Sequence, residues 1–269
     1  MQRQQRIVVI MPAYNAAETL EQTLADVPEG WADDVIVVDD CSVDHTVEVA
    51  RRLGLYVIVH PENRGYGGNQ KTCYHAALER GADVVVMLHP DYQYDPRRIP
   101  ALVKPIVAGD ADMMLGSRLA DGQAVRNGMP FYKYLANRFL TIAENMAFGT
   151  RFSELHTGMR AYRREVLESL PLDANSDDFV FDSQVIAQAL HFGFRIGEIQ
   201  VSARYTAEVS SIGFRRSVVY GLATLATVAR YVLHRLGIKR SPLFTAPSPR
   251  APTVVAEAST GDAQSGRTA

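Results

Sequence analysis

The chain has 269 residues, 47% of them hydrophobic and 22% charged, and a net charge of −2 at neutral pH. That is enough to bury one large α/β core, or a core with a small appendage, and the charge balance excludes a general nucleic-acid binder while leaving room for local basic clusters. Two cysteines, Cys41 and Cys73, match neither a disulfide framework nor a paired zinc motif, and the polar leader before Ile7 holds no apolar signal-peptide core, so a reducing cytosol is the expected compartment.

Short apolar runs at Ile7–Met11, Val35–Val38, Tyr56–Val59, Val84–Leu88 and Met113–Leu115 are separated by stretches of helical period such as Ala16–Asp26, His45–Leu53 and Asn69–Arg80. This alternation predicts an α/β fold with a mostly parallel, Rossmann-like sheet and helices on both faces. Ligands of such sheets collect outside the carboxyl ends of the strands. The first strand ends in Pro12-Ala13-Tyr14-Asn15 and the second in Asp39-Asp40, whose carboxylates suit a nucleobase N–H or a ribose hydroxyl. Two adjacent carboxylates repel, so a fold gains little from keeping both there without a ligand. Ser42 and Asp44 read as caps of the following helix.

The third strand runs into Asn63-Arg64-Gly65-Tyr66-Gly67-Gly68-Asn69-Gln70-Lys71, where three glycines allow backbone N–H groups to approach a ligand ahead of a helix starting near Asn69. It resembles a phosphate loop, without the spacing of either the dinucleotide fingerprint or the P-loop. The fourth strand ends in His89, Asp91 and Gln93 and enters a helix at Pro96, with Asp95 as its cap. Hard oxygens from Asp91 and Gln93 suit Mg2+ or Mn2+, and the imidazole of His89 is better tolerated by Mn2+.

Further along, helices are expected at Phe131–Phe148 and Phe214–Leu236, with a strand at Ile196–Val201 between them. Ser217–Leu236 is apolar over a spanning length but carries Arg230, His234 and Arg235, which favours a helix packed on protein or lying in a membrane surface over a full span. From Ser241 the chain is rich in Pro, Ala, Ser, Thr and Gly without an apolar period, so a disordered tail is expected. The organisation is then a catalytic domain over 1–213, an amphipathic helix over 214–240 for membrane-surface or subunit contact, and a tail over 241–269.

In this order, PAYN, VVDDCSVDHT, ENRGYGGN, LHPDYQYDP, GSR and HTGMRAYRREVL resemble the family 2 glycosyltransferases of the GT-A fold, most closely the polyprenyl-phosphate (dolichyl-phosphate) sugar synthases, from Arg6 to Tyr220. The resemblance implies a donor pocket lined by Pro12, Tyr14, Asn15, Asp39 and Asp40, with Asn63, Gly65, Gly67, Gly68 and Lys71 beside it and Arg118 on the donor diphosphate. It places a divalent cation, Mg2+ or Mn2+, on His89, Asp91 and Gln93. His89 departs from the Asp-x-Asp-x-Gln of relatives and removes a negative charge, and Ala16 departs from their Glu. Arg138, His156, Arg160 and Arg204 are implied to hold the acceptor's phosphate, as a guanidinium fork can. Arg163 is assigned to the surface.

The implied reaction is in-line, inverting displacement at the anomeric carbon of a nucleotide-diphosphate sugar, with Asp91 in the catalytic set. Asp178 or Asp182 acts as general base if the acceptor is a hydroxyl. A phosphate acceptor is already ionised, and the same carboxylate would then orient a binding arginine. Phe131, Tyr132, Lys133 and Tyr134 mix aromatic and basic character suited to a bilayer interface, so the expected acceptor is a polyprenyl phosphate met by a peripheral enzyme on the cytoplasmic face of a membrane. A soluble or polysaccharide acceptor, a degenerate nucleotide-sugar-binding scaffold and a homo-oligomer built on the same helices stay open. A nucleotidyltransferase would share the strand-end carboxylates, but PAYNAAETL lacks that class's basic glycine-rich loop.

Overall fold

The computed structural model describes residues 5–205 and 213–246. In chain order its elements are β1 (Ile7–Ala13), α1 (Leu20–Ala25), β2 (Asp34–Asp39), α2 (Thr46–Arg52), β3 (Tyr56–Val59), α3 (Gly65–Glu79), β4 (Val84–Met87), α4 (Ile99–Val107), β5 (Met113–Ser117), α5 (Phe131–Phe148), β6 (Arg160–Arg163), α6 (Arg164–Ser169), α7 (Phe181–His191), β7 (Ile196–Gln200) and α8 (Phe214–Arg235). The strands form one sheet in the order β3-β2-β1-β4-β6-β5-β7. All pairings are parallel except those of β6, which runs antiparallel to both β4 and β5.

Both faces of the sheet are covered, which is why β1 is buried at every position rather than at alternate ones. Val8 and Ile10 face Cys73, Tyr74 and Ala77 of α3 and Val185 and Ile186 of α7. Ile7, Val9 and Met11 face the other layer, with Leu20 of α1 and Ile99, Leu102, Val103 and Ile106 of α4.

A proline opens the sheet at one point. Leu88 N–H donates to Ile10 O at 3.0 Å, so even-numbered residues of β1 direct their backbone groups towards β4, while Asp40 N–H donates to Ala13 O on the β2 side. The next rung towards β4 would need an N–H from Pro12, which has none. β1 and β4 therefore part beyond Ile10, at the place where the chain reverses its direction of travel across the sheet.

Two sequence expectations need correction, and one strand carries no apolar signal. Helix α3 starts at Gly65 rather than near Asn69, because the carboxylate of Asp40 accepts the N–H groups of Arg64 at 2.8 Å and of Gly65 at 3.0 Å and serves as a cap from a distant strand. Strand β6 carries an arginine at each end and no apolar run, so hydrophobic patterning does not mark it. The tail expected from Ser241 is ordered over its first residues: Leu243 and Phe244 are 4% and 3% exposed, and Phe244 packs against Tyr231. Residues 247–269 of that tail lie outside the described residues.

Helix α8 packs along α5 and α7. Its inward face carries Tyr220, Thr224, Thr227 and Tyr231, with Tyr231 edge-on to Phe148. Among the described residues no helix is long and apolar enough to cross a membrane. Gly67 lies where α3 meets the loop before α7: a Cβ there would stand 2.3 Å from Ser176 O and 2.9 Å from Phe181 Cβ. Gly67→Ala is therefore expected to lower unfolding stability by about 1–3 kcal/mol, read as a fall in urea midpoint at unchanged slope.

Candidate active site

The opening between β1 and β4 is bordered by the segments that follow β1, β2 and β4. Tyr14 is 56% exposed there. Asn15, in the left-handed region at φ 51°, knits the first two loops together: its N–H donates to Ser42 Oγ at 2.8 Å and its Oδ1 accepts Val43 N–H at 3.0 Å. Asp44, expected as a cap, accepts the N–H groups of Thr46 and Ala17, both at 3.0 Å. Asp39 is 1% exposed; its Oδ2 accepts Ser42 N–H at 3.0 Å, and its Oδ1 is buried with no partner. A carboxylate oxygen left in that condition costs about 1–3 kcal/mol or more, and a donor from a ligand would relieve it.

Asp40 differs from its neighbour. It is 3% exposed, and besides capping α3 it bonds His60 Nδ1 at 2.8 Å, while its carbonyl accepts from Asn63 Nδ2 at 3.0 Å. The loop expected to cradle phosphate is similarly occupied. Gly65 N–H goes to Asp40, Gly67 N–H donates to Asp177 O at 2.7 Å, and Gly68 N–H reaches the same oxygen at 3.4 Å. Lys71 Nζ holds Asn175 O at 2.5 Å and Asp177 Oδ1 at 2.8 Å. Gly67, Gly68 and Lys71 thus dock the segment at Asn175 and Asp177 onto α3, while Asp40 and Asn63 hold the turn that opens α3.

The centre of the site is a buried polar chain. Arg160 is fully buried, gives Nε and Nη2 to Thr157 O at 2.8 and 2.6 Å, and pairs through Nη2 with the carboxylate of Asp182. Asp182 also accepts Tyr66 O–H at 2.8 Å and Gln70 Nε2–H at 2.9 Å. Tyr66 has one proton, spent on Asp182. The His89 Nε2 that stands 3.1 Å from the Tyr66 oxygen must therefore carry the proton of that contact. Burial pushes His89 below the ordinary histidine value, against the opposing pull of the Asp91 and Asp182 carboxylates. The ring is then neutral at pH 7, with Nδ1 holding the free lone pair. Burial and Asp182 likewise push the Tyr66 phenol well above its usual range. A Cβ at position 158 would stand 2.8 Å from His89 Cδ2, so Gly158 makes room for the ring.

Asp91 Oδ1 accepts Gln93 N–H at 3.0 Å across Tyr92, which sits at φ 55°. Arg204 is brought against this turn, its N–H donating to Gln93 O at 2.8 Å and its guanidinium lying 4.0 Å from the Tyr92 ring centre. Among the described residues no group of three or more His, Cys, Asp or Glu side chains forms a complete metal cage. Asp91, Gln93 and a neutral His89 are a partial donor set, which fits a cation that completes its shell with phosphate oxygens.

Arg118 is largely committed within the protein. Glu154, fully buried, accepts its N–H at 2.6 Å and its Nε at 2.9 Å, and His156 O accepts its Nη2 at 2.6 Å. Arg138 Nη1 donates to Ser153 O at 3.2 Å. His156, implied to meet phosphate, is instead buried between Tyr220 O–H at 2.6 Å and Glu144 Oε2 at 2.9 Å, where it ties α5 to α8. Arg160 and Asp182 are likewise withdrawn from substrate by their mutual pairing. Asp178 is exposed, with Oδ1 accepting Phe179 N–H at 2.7 Å. Arg163 lies at the surface beside Glu165 and Asp112.

Lys133, expected as an interface group, lies within electrostatic reach of Arg118. Lys133 is one helical turn before Asn137, whose Nδ2 donates to Glu154 at 2.8 Å, and its ammonium is pushed below the usual lysine value by burial and then by the charge of Arg118. The signal was the four-residue spacing from Lys133 to Asn137, which puts both on one face of α5. Arg160→Met, which leaves the Asp182 carboxylate buried and unpaired, is expected to cost about 3–5 kcal/mol in urea unfolding; with Asp182→Asn added, the double variant should recover part of that loss.

Residues 8–170 match the glycosyl transferase family 2 model. The chain is 30% identical to polyprenol monophosphomannose synthase of Mycolicibacterium smegmatis, over 74% of this chain and 77% of that one. It is also 30% identical to undecaprenyl-phosphate mannosyltransferase of Micrococcus luteus, over 73% and 83%. In fold it is similar to glucosyl-3-phosphoglycerate synthase of Mycobacterium tuberculosis, with TM-score 0.62, 21% identity and 88% and 82% coverage, in a complex with Mn2+, UDP-glucose and phosphoglyceric acid. The chain therefore belongs to glycosyl transferase family 2, near its dolichyl- and polyprenyl-phosphate sugar transferases, and is a glycosyltransferase of the GT-A fold.

Proposed function

We propose that the protein transfers a sugar, with inversion, from a nucleotide-diphosphate sugar to a polyprenyl phosphate at a membrane surface. The observation that carries the acceptor is the state of Asp182. Its carboxylate already takes Arg160, Tyr66 and Gln70, so it is not free to remove a proton, and Asp178, the other carboxylate expected as a base, lies at the exposed surface with Oδ1 accepting Phe179 N–H. An acceptor that arrives ionised needs no base. The relatives named for polyprenol and undecaprenyl-phosphate mannosyl transfer support the same class. A small phosphorylated alcohol is the second reading, supported by the phosphoglyceric acid bound in the M. tuberculosis protein of like fold.

The nucleoside enters where Pro12 opens the sheet, stacks beside Tyr14 and gives an N–H or O–H to the unpartnered Oδ1 of Asp39. Asp91, Gln93 and Nδ1 of His89 would hold a divalent cation, a reading that the Mn2+ and UDP-glucose complex of the M. tuberculosis protein of like fold supports. That cation, when bound, neutralises charge on the leaving diphosphate. Arg204, which the resemblance implies for the acceptor's phosphate, lies beside the Asp91–Gln93 turn and is assigned instead to the charge of the donor diphosphate. Lys133, with Arg138 further along α5, receives the acceptor phosphate, while Arg118, implied on the donor diphosphate, is held by Glu154 and His156 O.

We assign residues 1–213 to the catalytic domain, and residues 214–240, together with the outer face of that domain's α5, to contact with the membrane surface. Phe131, Leu135, Phe139, Ile142 and Met146 recur at three- and four-residue spacing along α5 and are 66%, 58%, 61%, 51% and 80% exposed. A stripe of that size left in water is unusual unless something apolar meets it. Val218, Val219 and Leu222 extend the exposed apolar surface on the adjacent α8.

Asp91→Asn is expected to lower kcat/KM by roughly 100-fold or more at unchanged thermal stability; near-normal turnover would remove Asp91 from the mechanism. The acceptor is tested by nucleoside diphosphate release with short-chain polyprenyl phosphate and with phosphoglycerate. Release with the polyprenyl phosphate is the expected result, and release only with phosphoglycerate would replace it by the second reading.

A further inference from the structure

At the far end of α8 from Val218 lies a cleft of about 430 Å³ that the proposed reaction does not use. It is walled by Ala226, Ala229 and Leu233 of α8 and by Leu243, and Arg230, Lys239 and Arg240 also line it. Val218, Leu222, Ala226, Ala229 and Leu233 share one face of the helix by their spacing, so the apolar stripe of α8 runs on into the cleft. Leu236 and Ile238, 67% and 68% exposed, stand in the segment between its walls. No carboxylate lines the cleft, and Arg230, Lys239 and Arg240 have no ion-pair partner among the described residues. In a chain of net charge −2, that concentration of unopposed positive charge around an apolar hollow is a local feature with its own complement.

We propose that this cleft binds the phosphate headgroup of an anionic phospholipid, with the start of its acyl chains against Ala226, Ala229 and Leu233. The proposal deepens the membrane-surface part of the function reading, and it supplies a second anchor point separate from the acceptor's own phosphate. Its occupant is a bilayer lipid because three cations without a carboxylate call for an anion, while the apolar wall continuous with the α8 stripe calls for hydrocarbon behind it. Charge and apolar burial together hold a peripheral protein where either alone is marginal.

The full chain is tested by co-sedimentation with vesicles of phosphatidylcholine alone and with phosphatidylglycerol added, neither containing polyprenyl phosphate. Wild type should partition onto the anionic vesicles. The variant Arg230→Gln, Lys239→Gln, Arg240→Gln should lose about five-fold per basic side chain, roughly 100-fold in all. All three residues are exposed, so folding should be unaffected. Ala226→Phe, which fills the cleft without touching charge, should weaken partitioning to anionic vesicles as well. Turnover on a water-soluble short-chain polyprenyl phosphate should be the same in every variant. Undiminished partitioning of the triple variant would overturn the proposal, as would tight binding of inorganic phosphate alone at the same residues. A wild type that is dimeric without lipid and monomeric in the triple variant would assign the cleft to a second copy of the chain instead. Failure of turnover on every phosphate acceptor would sink the function reading without altering the vesicle result.

Discussion

A guanidinium with no access to water is the constraint from which the site is built. Arg160 sits on β6 between β4 and β5, and its charge has to be met inside the protein. Asp182 at the start of α7 meets it, and Tyr66 and Gln70 on α3 take up the remaining capacity of that carboxylate. Tyr74 extends the chain, bonding Gln70 at 2.9 Å and standing 3.2 Å from the Tyr162 hydroxyl. One buried pair thereby fixes the mutual positions of β6, α3 and α7. A pair of this kind adds little net stability over a well-packed apolar substitute, but loss of one member is costly, which favours a single arrangement.

The site inherits that arrangement. Because the Tyr66 proton is drawn to Asp182, His89 must donate from Nε2, and its tautomer is set by an ion pair two side chains away. Orientation of a candidate ligand through its other ring nitrogen is how metal-binding histidines are commonly held. The same pairing keeps the Asp182 carboxylate occupied by Arg160, Tyr66 and Gln70. Structure and chemistry are coupled here through proton bookkeeping alone.

Much of the sheet was legible because β1, β2, β4 and β5 are continuous apolar runs buried on both faces. β6 was not, because an arginine that finds its partner on a later helix looks like surface in sequence. The family resemblance and the strand-end positions of Asp39 and Asp91 were also legible. The argument that two adjacent carboxylates imply a ligand for both failed at Asp40, whose donors His60, Arg64 and Gly65 lie 20 to 25 residues away. The glycine loop shows a related arrangement that its sequence does not reveal: the N–H groups of Gly67 and Gly68 meet the carbonyl oxygen of Asp177. Ser241–Ala246 read as tail from its composition, yet the apolar side chains of Leu243 and Phe244 fill a gap beside α8 that local sequence does not reveal.

The central claim is that a nucleotide donor enters the opening at Pro12 and satisfies the buried oxygen of Asp39. Calorimetric titration of UDP, GDP and dTDP, with and without Mn2+, into wild type and Asp39→Asn tests it most directly. The account predicts micromolar, metal-dependent binding of one nucleoside diphosphate to wild type, weakened about ten-fold or more in the variant, as expected for loss of a hydrogen bond to a charged group. Equal affinity in the two proteins, or no binding to wild type under any of these conditions, would contradict it.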